Sequence, residues 1–234
     1  MTDTTRIAEM ARQMIAAGNL FHARGWVPAT GGNFSARLDA ERVLITASGN
    51  HKGELTEADL LIADLDGRPL EADGDTVFVK AGVREPSDRP APAPTVPGAV
   101  SRAGRKASYE TLLHMQIYRR HADAGAVLHT HSTANTVLSR RHAQIVLSNY
   151  ELLKVLPGAP DPQSNVAIPV FANDQDIARL SAAVDAHMLQ SPATPAYLIA
   201  GHGLYAWGAT VAQARHRVEA IEFMLECHLR EAML

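Results

Sequence analysis

Cysteine is almost missing from this sequence. Cys227 is the single one in 234 residues, so no internal disulfide can form and a reducing, cytoplasmic compartment is expected. No run of about 18 apolar residues occurs, so no membrane-spanning helix is expected. Neither sign of charge dominates. A net charge of −3 offers no basic face for nucleic acid and no electrostatic reason to sit on a membrane. The first residues, Met1-Thr2-Asp3-Thr4, lack the basic-then-apolar order of a secretory leader. Three catalytic signatures are absent too. No Gly-Lys-Ser/Thr ending completes a P-loop, no dinucleotide fingerprint occurs, and no Ser or Cys sits in a nucleophile elbow. Hydrophobic residues make up 46% and charged residues 20%, the balance of an ordinary globular chain able to bury a large core.

What is present centres on Ala126-Val127-Leu128-His129-Thr130-His131-Ser132. Apolar residues lead into His-x-His. Residues at i and i+2 share a face of a strand, so His129 and His131 would offer two imidazoles side by side. Imidazole suits zinc or a similar divalent ion. Taken alone, the pair suits two satisfied or exposed loop histidines equally well.

Upstream, Ile7, Met10, Ala11, Met14, Ile15, Gly18 and Phe21 recur at helical spacing, and the helix should stop near Gly25. Thr30-Gly31-Gly32-Asn33-Phe34-Ser35 follows, where small residues let backbone approach a ligand or turn sharply. Thr30, Gly32 and Asn33 could hold a phosphate, or the stretch could be a simple turn. Two strands, Phe34–Leu38 and Arg42–Thr46, run into a second polar loop containing Ser48, Gly49 and Lys52, the last a possible anion partner. Thr56 opens a capping-box pattern, Leu60–Leu65 reads as a strand, and Asp66-Gly67 signals a hairpin turn.

Residues 81–105 change character. Pro86, Pro90, Pro92, Pro94 and Pro97 sit among small residues, too little apolar surface to offset ordering entropy. The segment reads as a mobile surface insertion in a single domain spanning 1–234. Order resumes at Ser108, a possible helix N-cap, with Glu110 expected in the first helical turn up to about Arg120. Glu110 there suits the helix dipole as readily as a site. After the His-x-His strand come a helix at Thr133–Arg141 and a strand at Gln144–Leu147. Glu151 lies next and, read alone, fits an exposed surface carboxylate.

Val166–Phe171 and Ala196–Ala200 are apolar and β-rich, with a helix over Asp174–Leu189 between them. The second of these strands delivers Gly201-His202-Gly203, whose small neighbours suit a third metal ligand. Leu204–Trp207 is a further strand. Val211–Met233 is a last helix striped by Val218, Ile221, Met224, Leu225 and Leu229. His216 and His228 on that helix have no ligand company. The interleaving predicts a three-layer α/β/α fold around a mixed, largely antiparallel sheet. Three histidines with a nearby carboxylate describe an open catalytic metal site, suited to Lewis-acid activation of a carbonyl with a glutamate moving protons.

Together, Thr30-Gly31-Gly32-Asn33, Thr46-Ala47-Ser48-Gly49, Glu110, His129-Thr130-His131 and His202 resemble the class II aldolase/adducin-head superfamily over nearly the whole chain except 81–105. The resemblance implies one divalent ion per subunit, zinc or else Fe, Co or Mn, on His129, His131 and His202. It also implies a sugar-phosphate substrate and a ring-shaped homotetramer with sites at subunit contacts. Phosphate would fall to Thr30, Gly32, Asn33, Ser48, Gly49, Lys52 and Ser108. Within the superfamily, Arg24–Asn33, Ser48–Leu55, His129–Ser132 and Tyr197–Gly208 look most like enzymes that dehydrate a methylthio-ketose phosphate in methionine salvage. The alternative is a sugar-phosphate aldolase or 4-epimerase. Glu151 matches the acid/base position of such dehydratases and Glu110 the carboxylate of the aldolases, so proton transfer is assigned first to Glu151. A non-catalytic adducin-like module loses the metal histidines, and all three are present here. Two departures stand out: the length of 81–105, and Ala107-Ser108-Tyr109-Glu110 where the family has Pro-Ser-small-Glu.

Overall fold

The computed structural model of the chain describes residues 3–70 and 106–234; the proline-rich segment expected at 81–105 lies outside the described residues. Helix α1 (Asp3–Ala23) forms where Ile7, Ala11, Met14, Ala17 and Phe21 recur on one side, and all five are buried. It stops where Gly25 adopts φ +71° and its N–H bonds the His22 carbonyl. Strands β1 (Asn33–Arg37), β2 (Arg42–Thr46) and β3 (Leu60–Asp64) follow as an antiparallel meander. The capping box at Thr56 forms over a short 3₁₀ turn, Glu57–Asp59, ahead of β3.

The second half alternates α2 (Thr111–Arg120), β4 (Ala126–Thr130), α3 (Thr133–Ser139) and β5 (Gln144–Leu147). It continues through β6 (Val166–Phe171), α4 (Ile177–Gln190), β7 (Ala196–Ile199), β8 (Gly203–Gly208) and α5 (Val211–Glu231). Among the described residues, no helix is long and apolar enough to cross a membrane. The strands form one eight-stranded sheet in the order β3-β2-β1-β4-β8-β7-β6-β5. Neighbours run antiparallel except β6 and β7, so the expected mixed, largely antiparallel sheet is what forms.

Alternation along the strands splits the core in two. Phe34, Leu128, Leu198 and Leu204 face α1 and α5, against Met14, Val218, Ile221 and Leu225. Val127, Tyr197, Tyr205 and Trp207 face α2 and α4, against Leu113, Ile117, Leu180 and Val184. Each such side chain, fully buried, contributes about 1.5–3 kcal/mol relative to exposure. The result is the expected α/β/α arrangement.

The start of α2 differs from expectation. The helix begins at Thr111 with Glu110 in the cap position, and Ser108 lies in the preceding turn. Ser108 does not cap the helix. Its Oγ accepts from the Glu110 N–H at 3.4 Å, and its carbonyl accepts from the Thr111 N–H at 3.1 Å. The turn is tied to the end of β2, where Ala47 bridges Ala107 and the Ser48 N–H donates to the Lys106 carbonyl at 2.9 Å. This seats Glu110 at the sheet instead of on a helical turn.

Candidate metal centre

Strand β4 places His129 and His131 as its alternation requires, while Thr130 points to the opposite face. Paired registers put Asn33 of β1 on one side of His129 and Tyr205 of β8 on the other. His202 enters from the tight turn between β7 and β8, where Gly201 has φ +65° and the His202 N–H bonds the Ile199 carbonyl at 3.0 Å. Glu110 arrives from the turn before α2. One ligand atom from each of Glu110, His129, His131 and His202 falls within 4.8 Å of the others. His131 Nε2 is 2.7 Å from His129 Nε2, which is 3.4 Å from His202 Nε2. Glu110 Oε1 is 2.7 Å from His202 Nε2, and Oε2 is 3.4 Å from His129 Nε2.

The protons show what this cluster can hold. His129 Nδ1 lies 2.9 Å from the Leu204 carbonyl, which can only accept, so Nδ1 carries the hydrogen and Nε2 keeps its lone pair. Burial holds His129 far below the usual imidazole value and brings His131 down to about 4, so both rings are neutral near pH 7. Burial works to raise Glu110, but His129, His202 and the Asn33 amide outweigh it and hold the carboxyl well below the usual range. Three imidazoles and one carboxylate converging on one point fit a divalent metal ion. The rings are held from behind. His129 stacks on Tyr205 with centroids 3.9 Å apart, and Tyr205 stacks on Tyr197 at 4.8 Å.

Close packing explains two glycines. Gly203 has no room for a side chain, because a methyl group would strike the Thr130 carbonyl and the rings of His129 and His131. Gly32, with φ +77°, lies where a Cβ would come within 2.7 Å of the His129 carbonyl oxygen. The His131 N–H is tied to the Trp26 carbonyl at 2.7 Å, locking the first glycine loop to the end of β4.

The residues expected at a phosphate divide into two groups. Thr30, Ser48 and Gly49 are exposed on the two loops. Lys52 is buried, and its Nζ donates to the carbonyls of Thr30 at 3.0 Å and Asn50 at 2.6 Å, tying one loop to the other with one N–H left over. Burial brings this ammonium down to about 8, opposed by Glu110 and Asp59. The Asn33 amide turns inward, donating to Glu110 Oε2 at 2.5 Å and to Ser108 Oγ at 3.2 Å.

Glu151 is not among the four clustered residues. Its side chain is 73% exposed on a 3₁₀ turn, Glu151–Val155, paired with Lys154 at 2.5 Å. Strand β5, just before it, lies four places from β4 in the sheet, roughly 19 Å by strand spacing. The pairings also make β5 antiparallel to β4, so the chain leaves β5 at the end opposite to His131.

Two buried polar residues escaped the sequence reading. His114 on α2 reaches the Asn33 amide, and Glu222 on α5 bonds Thr130 and Ser132. Glu222 had a legible signal, since it stands in an apolar stripe four residues after Val218 and three before Leu225. A cavity of about 490 Å³ lies on its side of the sheet, lined by Arg24, Trp26, Ser132 and Glu222 among others and by none of the four clustered residues.

Comparison with known proteins places this arrangement. Residues 12–229 match the class II aldolase and adducin N-terminal domain, and the chain belongs to that family. A methylthioribulose-1-phosphate dehydratase of Pseudomonas aeruginosa (strain UCBPP-PA14) is 43% identical over 95% of this chain and 94% of its own. Proteins of the same name from Methylococcus capsulatus (strain ATCC 33009 / NCIMB 11132 / Bath) and Sorangium cellulosum (strain So ce56) are 41% and 43% identical, covering 97% and 100% of this chain and 96% and 97% of theirs. Among solved structures, an L-fuculose-1-phosphate aldolase from Thermus thermophilus superposes with TM-score 0.67 at 23% identity, covering 97% of both chains, a likeness of fold.

Proposed function

We propose that the protein is a metal-dependent hydro-lyase that converts 5-methylthioribulose 1-phosphate to 2,3-diketo-5-methylthiopentyl 1-phosphate and water, a cytoplasmic step of methionine salvage. One observation carries this: the Glu110–His129–His131–His202 cluster stands in a chain 41–43% identical, over nearly full length, to dehydratases of that substrate.

His129, His131 and His202 would hold the ion, read here as zinc because three imidazoles are a recurrent catalytic zinc set. When bound, the ion supplies Lewis-acid polarisation at the carbonyl end of the substrate. The remaining work falls to the chain. Dehydration takes a proton from C3 and expels hydroxide from C4, so one group must accept and one must donate. We assign this transfer to Glu151, with Glu110 sharing it from inside the cluster as an ionised acceptor. Because Glu151 stands four strands away on an exposed turn, it would serve a neighbouring subunit's site in a homotetramer. The phosphate end would lie against Thr30, Ser48, Ser108, the backbone of Gly32, Asn33 and Gly49, and the free N–H of Lys52.

The test is turnover of methylthioribulose 1-phosphate with and without a chelator. A diketone product that chelation abolishes is the expected result. Triose- or glycolaldehyde-type fragments would instead mark an aldolase. The division between subunits has its own test. Glu151→Gln and His129→Ala proteins, each nearly inactive, should regain activity on mixing and reassembly. Near-full activity in Glu151→Gln alone would remove Glu151 from the reaction.

A further inference from the structure

Behind Glu110 lies a file of buried polar groups that the proposed reaction does not use. Asn33 Nδ2 donates to Glu110 Oε2 at 2.5 Å, and Asn33 Oδ1 meets His114 Nε2. Ser35 Oγ lies 2.7 Å from His114 Nδ1 and 2.8 Å from the Tyr118 hydroxyl. None of Asn33, Ser35, His114 and Tyr118 is more than 4% exposed.

The direction of every hydrogen bond in this file is determined. The Asn33 amide sets its nitrogen, a donor, against a Glu110 oxygen and its own oxygen against His114. That oxygen only accepts, so His114 Nε2 carries a hydrogen. Burial brings His114 down to about 4, leaving the ring neutral with that single N–H. Its Nδ1 must then accept, and the Ser35 hydroxyl must donate to it. The Ser35 hydrogen being spent, the Tyr118 hydroxyl donates to Ser35. All the hydrogens point toward Glu110. The His114 ring lies beside the buried Leu113, Met115 and Ile117 on α2, and both of its nitrogens are engaged in this file. Chained hydrogen bonds polarise one another, and the last donor in the file is the stronger for the ones behind it.

We propose that His114 is a positioning residue, which through Asn33 holds the Glu110 carboxylate aimed at His129 and His202. The relay Tyr118→Ser35→His114→Asn33→Glu110 fixes an oxygen of the cluster from β1 and α2. This rests on Glu110 being a working member of the metal centre.

Three variants test it: His114→Phe, which keeps the ring and removes both nitrogens; His114→Gln, whose amide N–H reaches where Nε2 stood; and Ser35→Ala. Two quantities are measured, the zinc affinity of the substrate-free protein by chelator competition and the split of kcat from KM. H114F should lose about 10–100-fold in zinc affinity and in kcat, with KM changed less than about threefold. H114Q should return both to within about fivefold of wild type, and S35A should fall between. Equal losses in H114F and H114Q would overturn the proposal, since the ring and not its hydrogen bond would then matter. So would wild-type zinc affinity and kcat in H114F. Should H114F not fold, S35A decides: wild-type values in it overturn the relay, and a joint fall in zinc affinity and kcat upholds it. Zinc affinity needs no substrate. A wild-type protein that binds zinc but leaves methylthioribulose 1-phosphate untouched would therefore count against the proposed reaction and not against the relay.

Discussion

Glu110, partly buried, and Glu222, fully buried, are carboxylates set against strand β4, one on each face, and their surroundings drive them in opposite directions. Glu110 meets His129 and His202 and takes a hydrogen bond from Asn33, and these outweigh burial to hold it ionised. Glu222 meets hydroxyl and amide donors, with Thr130 Oγ1 at 2.5 Å, Ser132 Oγ at 2.5 Å and Asn135 Nδ2 at 2.9 Å. There burial wins, and the carboxyl is pushed up to about 7. The lesson is that a buried carboxylate is not a functional sign by itself; the chemistry of its partners decides. Glu110 faces groups that can share a cation. Glu222 faces the backs of the residues that present those groups, since Thr130 and Ser132 flank His131. One face of β4 carries the candidate metal cluster and the other anchors it.

The largest effect should come from the face that carries the cluster. His129→Ala removes a ligand that is fully buried and stacked on Tyr205, and turnover should fall by at least about 10³-fold with loss of bound metal. Thr130→Val changes the adjacent residue but points to the anchor, and turnover should stay within about tenfold while stability drops by about 1–2 kcal/mol for the lost hydrogen bond. Metal content, turnover and denaturant midpoint measured on both proteins would check this. If T130V lost metal as H129A does, the division between faces would break.

Next in size is Glu110→Gln, which keeps the shape and removes the charge. A loss of about 10²–10⁴-fold is expected for a carboxylate taking part in proton transfer. Gly203→Ala should be milder and should hurt both faces together, since its methyl group strikes the Thr130 carbonyl and both histidine rings. Overpacking of this kind costs about 1–3 kcal/mol, and metal affinity should fall in parallel. A G203A protein destabilised with its metal affinity intact would show that the turn yields without moving His129 or His131.

How much of this was legible in the sequence follows the range of the interactions. The His129–His131 pair needed only the two-residue period of a strand, and His202 was marked by the glycines around it. The stripes Ile177–Leu180–Val184–Met188 and Val218–Ile221–Leu225 are buried as their spacing implies. What the sequence could not show was which distant partner claims a polar side chain. Asn33 looked like a phosphate ligand because it sits in a glycine loop, yet the pairing of β1 with β4 and the docking of α2 turn its amide to Glu110. Ser108 looked like a helix cap because only the local chain was visible, and the bridge from Ala47 to Ala107 moves the helix start to Thr111. Glu151 was placed at the site by resemblance, and the strand order puts it at the far edge of its own subunit.

The smallest effect on turnover, and the sharpest on the comparison, is expected of Glu222→Gln. The amide keeps the volume and most of the hydrogen bonds to Thr130, Ser132 and Asn135, so activity should change only a few-fold. The difference lies in pH. Glu222 is raised from an ordinary 4.5 to about 7, chiefly by burial, with Glu226 one turn along pushing the same way and its three donors opposing. Between those values the folded protein keeps a proton that the unfolded chain has released, so this group's contribution to stability is complete below about 4.5 and is lost as pH rises through about 7. At about 1.4 kcal/mol per unit, the loss is at most about 3.5 kcal/mol. Wild type should therefore lose ground to E222Q as pH is raised from about 5 to about 8. Melting of both metal-free proteins across that range measures it, because titration of the histidine cluster is common to the two and cancels in the difference. A gap that stayed constant with pH would mean that Glu222 is ionised throughout, and the two faces of β4 would then hold their carboxylates in the same state.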